Sequence, residues 1–364
     1  MPLLVVNCGS SSLKYELRDG GETLAGDTIR EVTDYGDAVE RAVARLREEG
    51  RLEHVEAVSH RVVHGGTYFK RPTLIDEEAL GRLRELAELA PLHNGPAVEA
   101  IVASRRLLGP DMPMVASFDT AFHARMPAPA ASYALPRELV DKHGIRRYGF
   151  HGLAHRYMAD RYPDPHARLI TLQLGSGCSA AAIAGGRSLD TSMGLTPLEG
   201  LVMATRSGDV DPALPAFLEE HEGIAPGKAE EILNRESGLK GVSGRSGDMR
   251  QLLEAGDERS ELAVELYCYR IREYIGAYLA VLGGADGLVF GGGVGENSPP
   301  IRSRVCAGMS WCGIELDDEK NEEAAGVEMR IDAGTGLEVW VMLVDEGEVM
   351  ARDAEAVLGG EENG

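Results

Sequence analysis

The chain opens on an apolar run, Leu3–Val6, followed by a turn-forming stretch, Asn7-Cys8-Gly9-Ser10-Ser11-Ser12. Leu13, Tyr15 and Leu17 then alternate with polar residues. A short apolar run followed by period-two alternation predicts two strands joined at a Gly/Ser-rich tip. The pattern returns at Leu169–Leu174, with a turn at Gly175-Ser176-Gly177-Cys178-Ser179 and a return strand at Ala180–Ala184. Gly9 and Gly175 hold matching places, which suggests a duplicated architecture with two loops facing one cleft. Two unrelated hairpins are the alternative.

Helical periodicity is found at Tyr35–Glu49 and Asp76–Leu89. Met114–Ser117 and Leu337–Val344 read as strands. Leu288-Val289-Phe290 reads as a buried strand entering a glycine turn, Gly291-Gly292-Gly293-Val294-Gly295-Glu296-Asn297, with a helix beginning near Pro299. Strands and helices alternate throughout, so the fold class is α/β. At 364 residues the chain exceeds what one core usually supports, which predicts two domains with a cleft between them. The Pro/Ala run Met126–Ala131 is the best boundary in the first half, and Gly359–Gly364 reads as a frayed tail.

Hydrophobic content of 43% and charged content of 26% are ordinary for a soluble enzyme and leave this picture unchanged. Net charge changes it more. At −22 the chain lacks the positive footprint that nonspecific nucleic-acid binding needs, so any anion it handles must meet locally placed cations. No apolar stretch reaches eighteen residues, so no membrane span is expected. Met1–Asn7 has no basic n-region or cleavage site, and the expected location is cytoplasmic. Cys8, Cys178, Cys268, Cys306 and Cys312 form no CxxC pair, which argues against a disulfide framework or zinc site. Cys8 and Cys178 read as small residues fitting beside turns. Residues 291–297 imitate a dinucleotide fingerprint without its opening βαβ unit, and no Walker A sequence occurs.

Phosphate chemistry needs hydrogen-bond donors, carboxylates for a metal, and cations for charge that develops on oxygen. Candidate groups cluster beside glycine turns. Asn7, Ser10, Ser12 and Lys14 form a donor-rich loop. Arg61 lies in His60-Arg61-Val62-Val63-His64-Gly65-Gly66, at a strand end. Pro91–Pro96 is a second histidine loop with His93; Phe118–His123 puts Asp119 after a strand; Tyr148–Gly152 carries His151. Ala204–Asp209 carries Arg206, and Asp345-Glu346 follow the last strand. Each has a structural alternative: a surface ion pair for an arginine, a satisfied structural residue for a histidine, a helix cap for an aspartate. Composition and spacing stop at a two-domain α/β enzyme that binds phosphate.

The segment Val6-Asn7-Cys8-Gly9-Ser10-Ser11-Ser12-Leu13-Lys14 resembles the N-terminal signature of acetate kinases. His60–Gly66, Leu89–Asn94, Phe118–His123, Arg147–Gly152, Thr191–Gly200 and Gly291–Asn297 resemble that family's other blocks, in order and over nearly the whole chain. The resemblance implies a duplicated ribonuclease-H-like (actin-like ATPase) fold with an interdomain active-site cleft. Residues 1–123 plus a C-terminal helix 347–364 would form one domain, and 124–346 the nucleotide-binding domain. It implies reversible transfer of the ATP γ-phosphoryl group to acetate, giving acetyl phosphate and ADP, with Mg²⁺ or Mn²⁺, in a homodimer. Arg61 and Arg206 would grip the acetate carboxylate and the transferring phosphoryl group. Asp119 and Glu346 would serve the metal, with Asn7 beside it. His151 would donate to the transition state with support from His93. Asn7, Ser10, Ser12 and Lys14, with Gln173, Gly175, Ser176 and Gly177, would form phosphate loops. Asp248, Met249, Arg250, Gly293, Val294, Gly295, Glu296 and Asn297 would line the adenosine pocket. Val63, Leu92, Phe150 and Pro197, beside Arg61, would enclose the acetate methyl.

Two positions depart from the family pattern. Gln173-Leu174-Gly175-Ser176-Gly177 replaces His-Leu-Gly-Asn-Gly, and Glu346-Gly347 replaces paired glutamates. The chain is also shorter, mostly between Gly20 and Asp34. A propionate or butyrate kinase, a non-catalytic nucleotide-binding paralogue and a pyrophosphate-using variant are the competing readings.

Overall fold

The computed structural model describes residues 1–9, 12–89, 91–334 and 336–360, without the side chains of residues 88, 89 and 91–93. The chain gathers into two compact units, one of Met1–Ala124, His151–Tyr157 and Asp345–Gly364, the other of Arg125–Phe150 and Met158–Val344.

The first unit holds a sheet of β1 (Pro2–Cys8), β2 (Ser12–Asp19), β3 (Glu22–Arg30), β4 (Ala57–Val62), β5 (Thr73–Leu74) and β6 (Met114–Phe118). Their order is β3-β2-β1-β4-β6-β5. β1, β2 and β3 form an antiparallel meander, β4 runs parallel to β1, β6 runs parallel to β4, and β5 closes the edge antiparallel to β6. Period-two alternation sends Leu4, Val6, Leu13, Tyr15, Leu17, Val58 and Val62 into one core with Val39, Leu46, Leu83 and Ile101 of the covering helices. The same alternation leaves Asn7, Ser12, Lys14 and Arg61 on the opposite face. The C-terminal helix Glu346–Leu358 is tied there, where the Ser59 hydroxyl donates to the Met350 carbonyl at 3.0 Å.

Local signals set the helix ends. The Asp34 carboxylate accepts from the Asp37 amide and starts the helix Tyr35–Glu48, and Asp76 caps Glu77–Leu89 instead of opening it. The expected loop Pro91–Pro96 is instead the start of a helix, Pro91–Leu108. Its buried Ala97, Ala100, Ile101 and Ala103 pack into the core, and that burial outweighs the local preference of Pro96 and Gly95.

The second unit repeats the plan. Its strands β7 (Arg168–Leu174), β8 (Cys178–Ala184), β9 (Arg187–Thr191), β10 (Gly287–Gly291), β11 (Met329–Arg330) and β12 (Glu338–Val341) lie in the order β9-β8-β7-β10-β12-β11. Again three strands meander, the fourth and sixth run parallel, and the fifth closes the edge antiparallel. One topology is thus used twice, and the fold is the duplicated ribonuclease-H-like arrangement. The long helix Glu258–Leu282 starts at Asp257, stops at Gly283, and buries Tyr267, Ile271, Ile275 and Tyr278. The glycine segment after β10 is not a turn: Gly292–Asn297 is helical, and a separate helix spans Pro299–Cys306. The last strand is also shorter than expected, ending at Val341. No helix among the described residues is long and apolar enough to cross a membrane.

His60 lies on the core face of β4 between Val58 and Val62, 1% exposed, and neither ring nitrogen has a hydrogen-bond partner. Burial pushes its pKa down to about 3. The unfolded chain therefore takes up this proton near pH 6.5 while the folded chain does not, and stability falls as pH drops from there towards 3. Between pH 6.5 and 5 the parent chain should lose about 2 kcal/mol more than His60→Leu, read by urea unfolding at the two pH values. Parallel losses would show that His60 is solvated in the folded state.

Candidate active site

β1, β4 and β6 are neighbouring parallel strands, so their carboxyl ends sit side by side. Ligands of α/β sheets bind at such ends. Arg61, one residue before the end of β4, reaches both neighbours. Its Nε and Nη2 donate to the two carboxylate oxygens of Asp119, just past β6, at 2.9 and 2.7 Å. Its Nη1 donates to Asn7 Oδ1 on β1 at 3.1 Å and lies 3.7 Å from Glu346 Oε2. Asn7 Nδ2 donates to that same Glu346 oxygen at 2.9 Å. Burial works against the Arg61 charge, but Asp119 and Glu346 outweigh it and hold the guanidinium firmly protonated. Asp119 is fully buried.

Lys14 stands opposite Asn7 in the β1–β2 register, so the two share a face. Its ammonium is about half exposed and pairs with Glu16 at 2.7 Å. Glu16 also holds Arg18, whose fork takes Asp345 at 2.8 and 2.9 Å. This explains Gly347: a Cβ there would lie 2.3 Å from Glu16 Oε2 and 2.8 Å from Arg18 Nη1. Ser12 opens β2, and its carbonyl accepts from Gly9 at 2.8 Å. Ser10 lies outside the described residues, as do the side chains of Leu92 and His93. Asn94 is fully buried and clips the backbone of His64 in both directions, at 2.9 and 2.8 Å.

His151 precedes the helix Gly152–Arg161 and has φ 56, a left-handed backbone that costs a non-glycine residue about 1–3 kcal/mol. The next residue has no room for a side chain, since a Cβ on Gly152 would fall 1.9 Å from the Asp119 carbonyl. One turn on, His155 is fully buried with its pKa well below the usual range, first through burial and then through His123 and His151. The His123 and His155 rings meet edge to face at 5.7 Å. The sequence reading passed over His155, four residues beyond His151.

In the second unit the matching strand ends carry a cavity of about 680 Å³, walled by Gly175 and Ser176 after β7, by Gly293, Val294, Asn297 and Ser298 after β10, and by Ala204 and Gly247–Arg250. Asp248 caps the helix Met249–Ala255 and pairs with the exposed Arg250 at 3.1 Å. Of the remaining residues expected there, Glu296 turns its carboxylate to the Gly292 and Val344 amides, at 2.9 and 3.0 Å. Gly295 is buried against Phe290. Gln173 lies beside Gly291 in the strand register with its Oε1 buried and unpartnered, and Gly177 accepts from the Gly175 amide at 3.1 Å. Cys178 is buried behind the loop against Tyr267, and burial pushes its thiol up to about 11, so it is a packing residue.

Arg206 follows Ala204 by two residues. Its Nη1 donates to the Pro197 carbonyl at 2.9 Å and to Met203 Sδ at 3.3 Å. No carboxylate among the described residues pairs with it, and burial lowers its pKa. The loop that supplies Pro197 is pinned by Arg147, which donates to the Thr191 and Ser192 carbonyls and to Glu199 at 2.5 Å. Phe150 and Pro197 are buried and Val63 is half-buried.

Two ribonuclease-H-like units, one with a cavity of about 680 Å³ at its strand ends, define the class of fold and a concave site able to take a ligand. Comparison with known proteins narrows the class. The acetokinase family pattern matches residues 21–352. Acetate kinase of Solibacter usitatus is 43% identical over 99% of both chains. That of Syntrophobacter fumaroxidans is 46% identical over 89% of this chain and 88% of its own. Among solved structures, acetate kinase of Porphyromonas gingivalis superposes with a TM-score of 0.91 at 40% identity, covering 98% of this chain and 99% of its own. A propionate kinase of Francisella tularensis reaches 0.90 at 35%, covering 97% and 98%. This chain belongs to the acetokinase family.

The two arginines should respond oppositely to removal. Arg61→Met strands Asp119 as a buried, unpaired carboxylate and should cost about 3–5 kcal/mol in urea unfolding. Arg206→Met removes a half-buried cation that no carboxylate among the described residues pairs with, and stability should hold within about 1 kcal/mol or rise. Equal losses would mean that Arg206 is as firmly paired as Arg61.

Proposed function

We propose that this chain is an acetate kinase that transfers the ATP γ-phosphoryl group to acetate. A carboxylate oxygen of acetate attacks the γ-phosphorus; the new O–P bond forms as the bond to the β,γ-bridging oxygen breaks, and ADP leaves with that electron pair. Such transfer asks a protein for positioning and charge, with little covalent chemistry. The observation that carries the reading is Arg206. A half-buried guanidinium held, among the described residues, only by a carbonyl and a thioether keeps its charge for an incoming anion, and its planar fork suits a carboxylate or phosphoryl group.

Arg61 is already neutralised by Asp119, so its role is to hold Asn7, Asp119 and Glu346 in one arrangement and to offer its remaining edge to acetate. His151 donates to the phosphoryl oxygens in this reading. The glycine-walled cavity takes the adenosine and its phosphates, and the cited relatives' names support acetate as acceptor.

Magnesium fits this donor set. Among the described residues no cluster of three or more His, Cys, Asp and Glu side chains could bind a metal unaided. Mg²⁺ with a nucleotide needs only one or two carboxylates, the rest being water and phosphate oxygens. Glu346 meets that need: Oε2 is fixed by Asn7, and Oε1 has no hydrogen bond among the described residues. Asp119 would act beside it, although Arg61 occupies both of its oxygens. Bound there, the ion would neutralise phosphate charge.

The test is to incubate the protein with ATP, Mg²⁺ and acetate and trap acetyl phosphate with hydroxylamine. Acetate-dependent hydroxamate should form at several turnovers per second, on the order of ordinary kinase rates. Arg206→Ala should lower that rate by about 10²–10³-fold with the fold intact. A kcat/KM maximum at propionate or butyrate would move the assignment to those acceptors. ATP binding without any acyl phosphate product would leave a nucleotide-binding paralogue.

A further inference from the structure

Arg302 is the largest side chain buried without exposure in the second unit, and its charge has no carboxylate within ion-pair distance among the described residues. It lies on the helix Pro299–Cys306 and is held entirely by neutral oxygens. Nη1 donates to the carbonyls of Gly295 at 2.7 Å and Glu296 at 3.2 Å. Nε donates to Asn321 Oδ1 at 2.7 Å, and Nη2 to the Asn321 carbonyl at 2.6 Å. Asn321 completes the knot by donating to the Pro299 carbonyl and the Ser303 hydroxyl, at 3.1 and 2.9 Å. A buried ion without a counter-ion is costly, so what it holds in place deserves a physical account.

It holds the helix Gly292–Asn297, whose Gly293, Val294 and Asn297 wall the 680 Å³ cavity. Six residues are too few for a helix to stand alone, and Gly292, Gly293 and Gly295 are poor helix formers with the most chain entropy to lose. The last carbonyls of a helix have no partner within it, and Gly295 and Glu296 present theirs to Arg302. At the other end the Glu296 carboxylate takes the Gly292 and Val344 amides. The segment is thus fastened at both ends by side chains that do not line the cavity, the half-buried Glu296 and the fully buried Arg302.

We infer that Arg302 and Asn321 are positioning residues for nucleotide binding, ordering the glycine wall before the ligand arrives. An unfastened wall would have to be ordered by the nucleotide itself, and affinity would fall by that cost. The inference rests on the nucleotide reading of the cavity and not on the identity of the acceptor.

The probe is ADP with Mg²⁺, by titration calorimetry, on the full chain and on Arg302→Lys, Arg302→Met and Asn321→Ala. ADP should bind at least tenfold more weakly to each folded variant, with KM for acetate within threefold of the parent value. Unchanged ADP affinity in a folded variant, or equal weakening for ADP and acetate, overturns the inference. Amide hydrogen exchange on the unliganded parent chain tests it without a substitution. Residues 294–297 should be protected within about tenfold of β10, and free exchange there overturns it. If the parent chain binds no ADP, the nucleotide reading itself fails, and the comparison of variants shows that separately.

Discussion

The first unit depends on one contact, the fork of Arg61 closed on Asp119. Asp119 is fully buried and carries charge that the surrounding core cannot solvate. Only a guanidinium offering two parallel donors satisfies both oxygens at once, and Arg61 does so while reaching Asn7 and approaching Glu346. Four groups from positions 7, 61, 119 and 346 are thereby held as one set. The sheet makes the contact possible: β1, β4 and β6 are adjacent and parallel, so three widely separated segments end at the same edge. The C-terminal helix joins them through Glu346 and is fastened along its length by Ser59 and by Arg156, which pairs with the buried Asp353.

The second unit uses the same strand plan for a different electrostatic purpose. Its strand ends carry glycines and backbone amides where the first unit carries an ion pair. Arg206 has no carboxylate partner among the described residues and is steadied by a carbonyl. A chain of net charge −22 cannot attract anions by its overall field. In the proposed reading a local arrangement does so: Arg206, half-buried and without a carboxylate partner among the described residues. Both units hold an arginine cation partly out of bulk water, where a lower effective dielectric strengthens charge interactions.

Much of the fold was legible in the sequence because it depends on local period. Alternation in Leu13, Tyr15 and Leu17 fixed which face of β2 is core, and thus placed Ser12 and Lys14 on the face shared with Asn7. The matched hairpins at Gly9 and Gly175 gave the duplication. Where the local signal and the packing disagree, the reading failed. Pro91–Pro96 looks like a loop yet is helical because Ala97, Ala100 and Ile101 have a core to enter. The glycines after β10 look like a turn yet are helical because Glu296 and Arg302 bind their backbone from either end. Neither partner is detectable by periodicity, since one acts on residue 344 and the other is anchored at residue 321.

By itself the sequence determined the strand faces, the repeated plan and the candidate groups for phosphate chemistry. Each follows from residues within a few positions of one another. Tertiary structure alone decided what those groups do: that Arg61 is spent on Asp119 while Arg206 is not, that Lys14 is shared with Glu16, that Gly347 makes room for the Glu16–Arg18 pair, and that Arg302 is buried beneath the glycine wall. Charge compensation and desolvation depend on neighbours brought from distant parts of the chain, and no local pattern of side chains encodes which neighbours those will be.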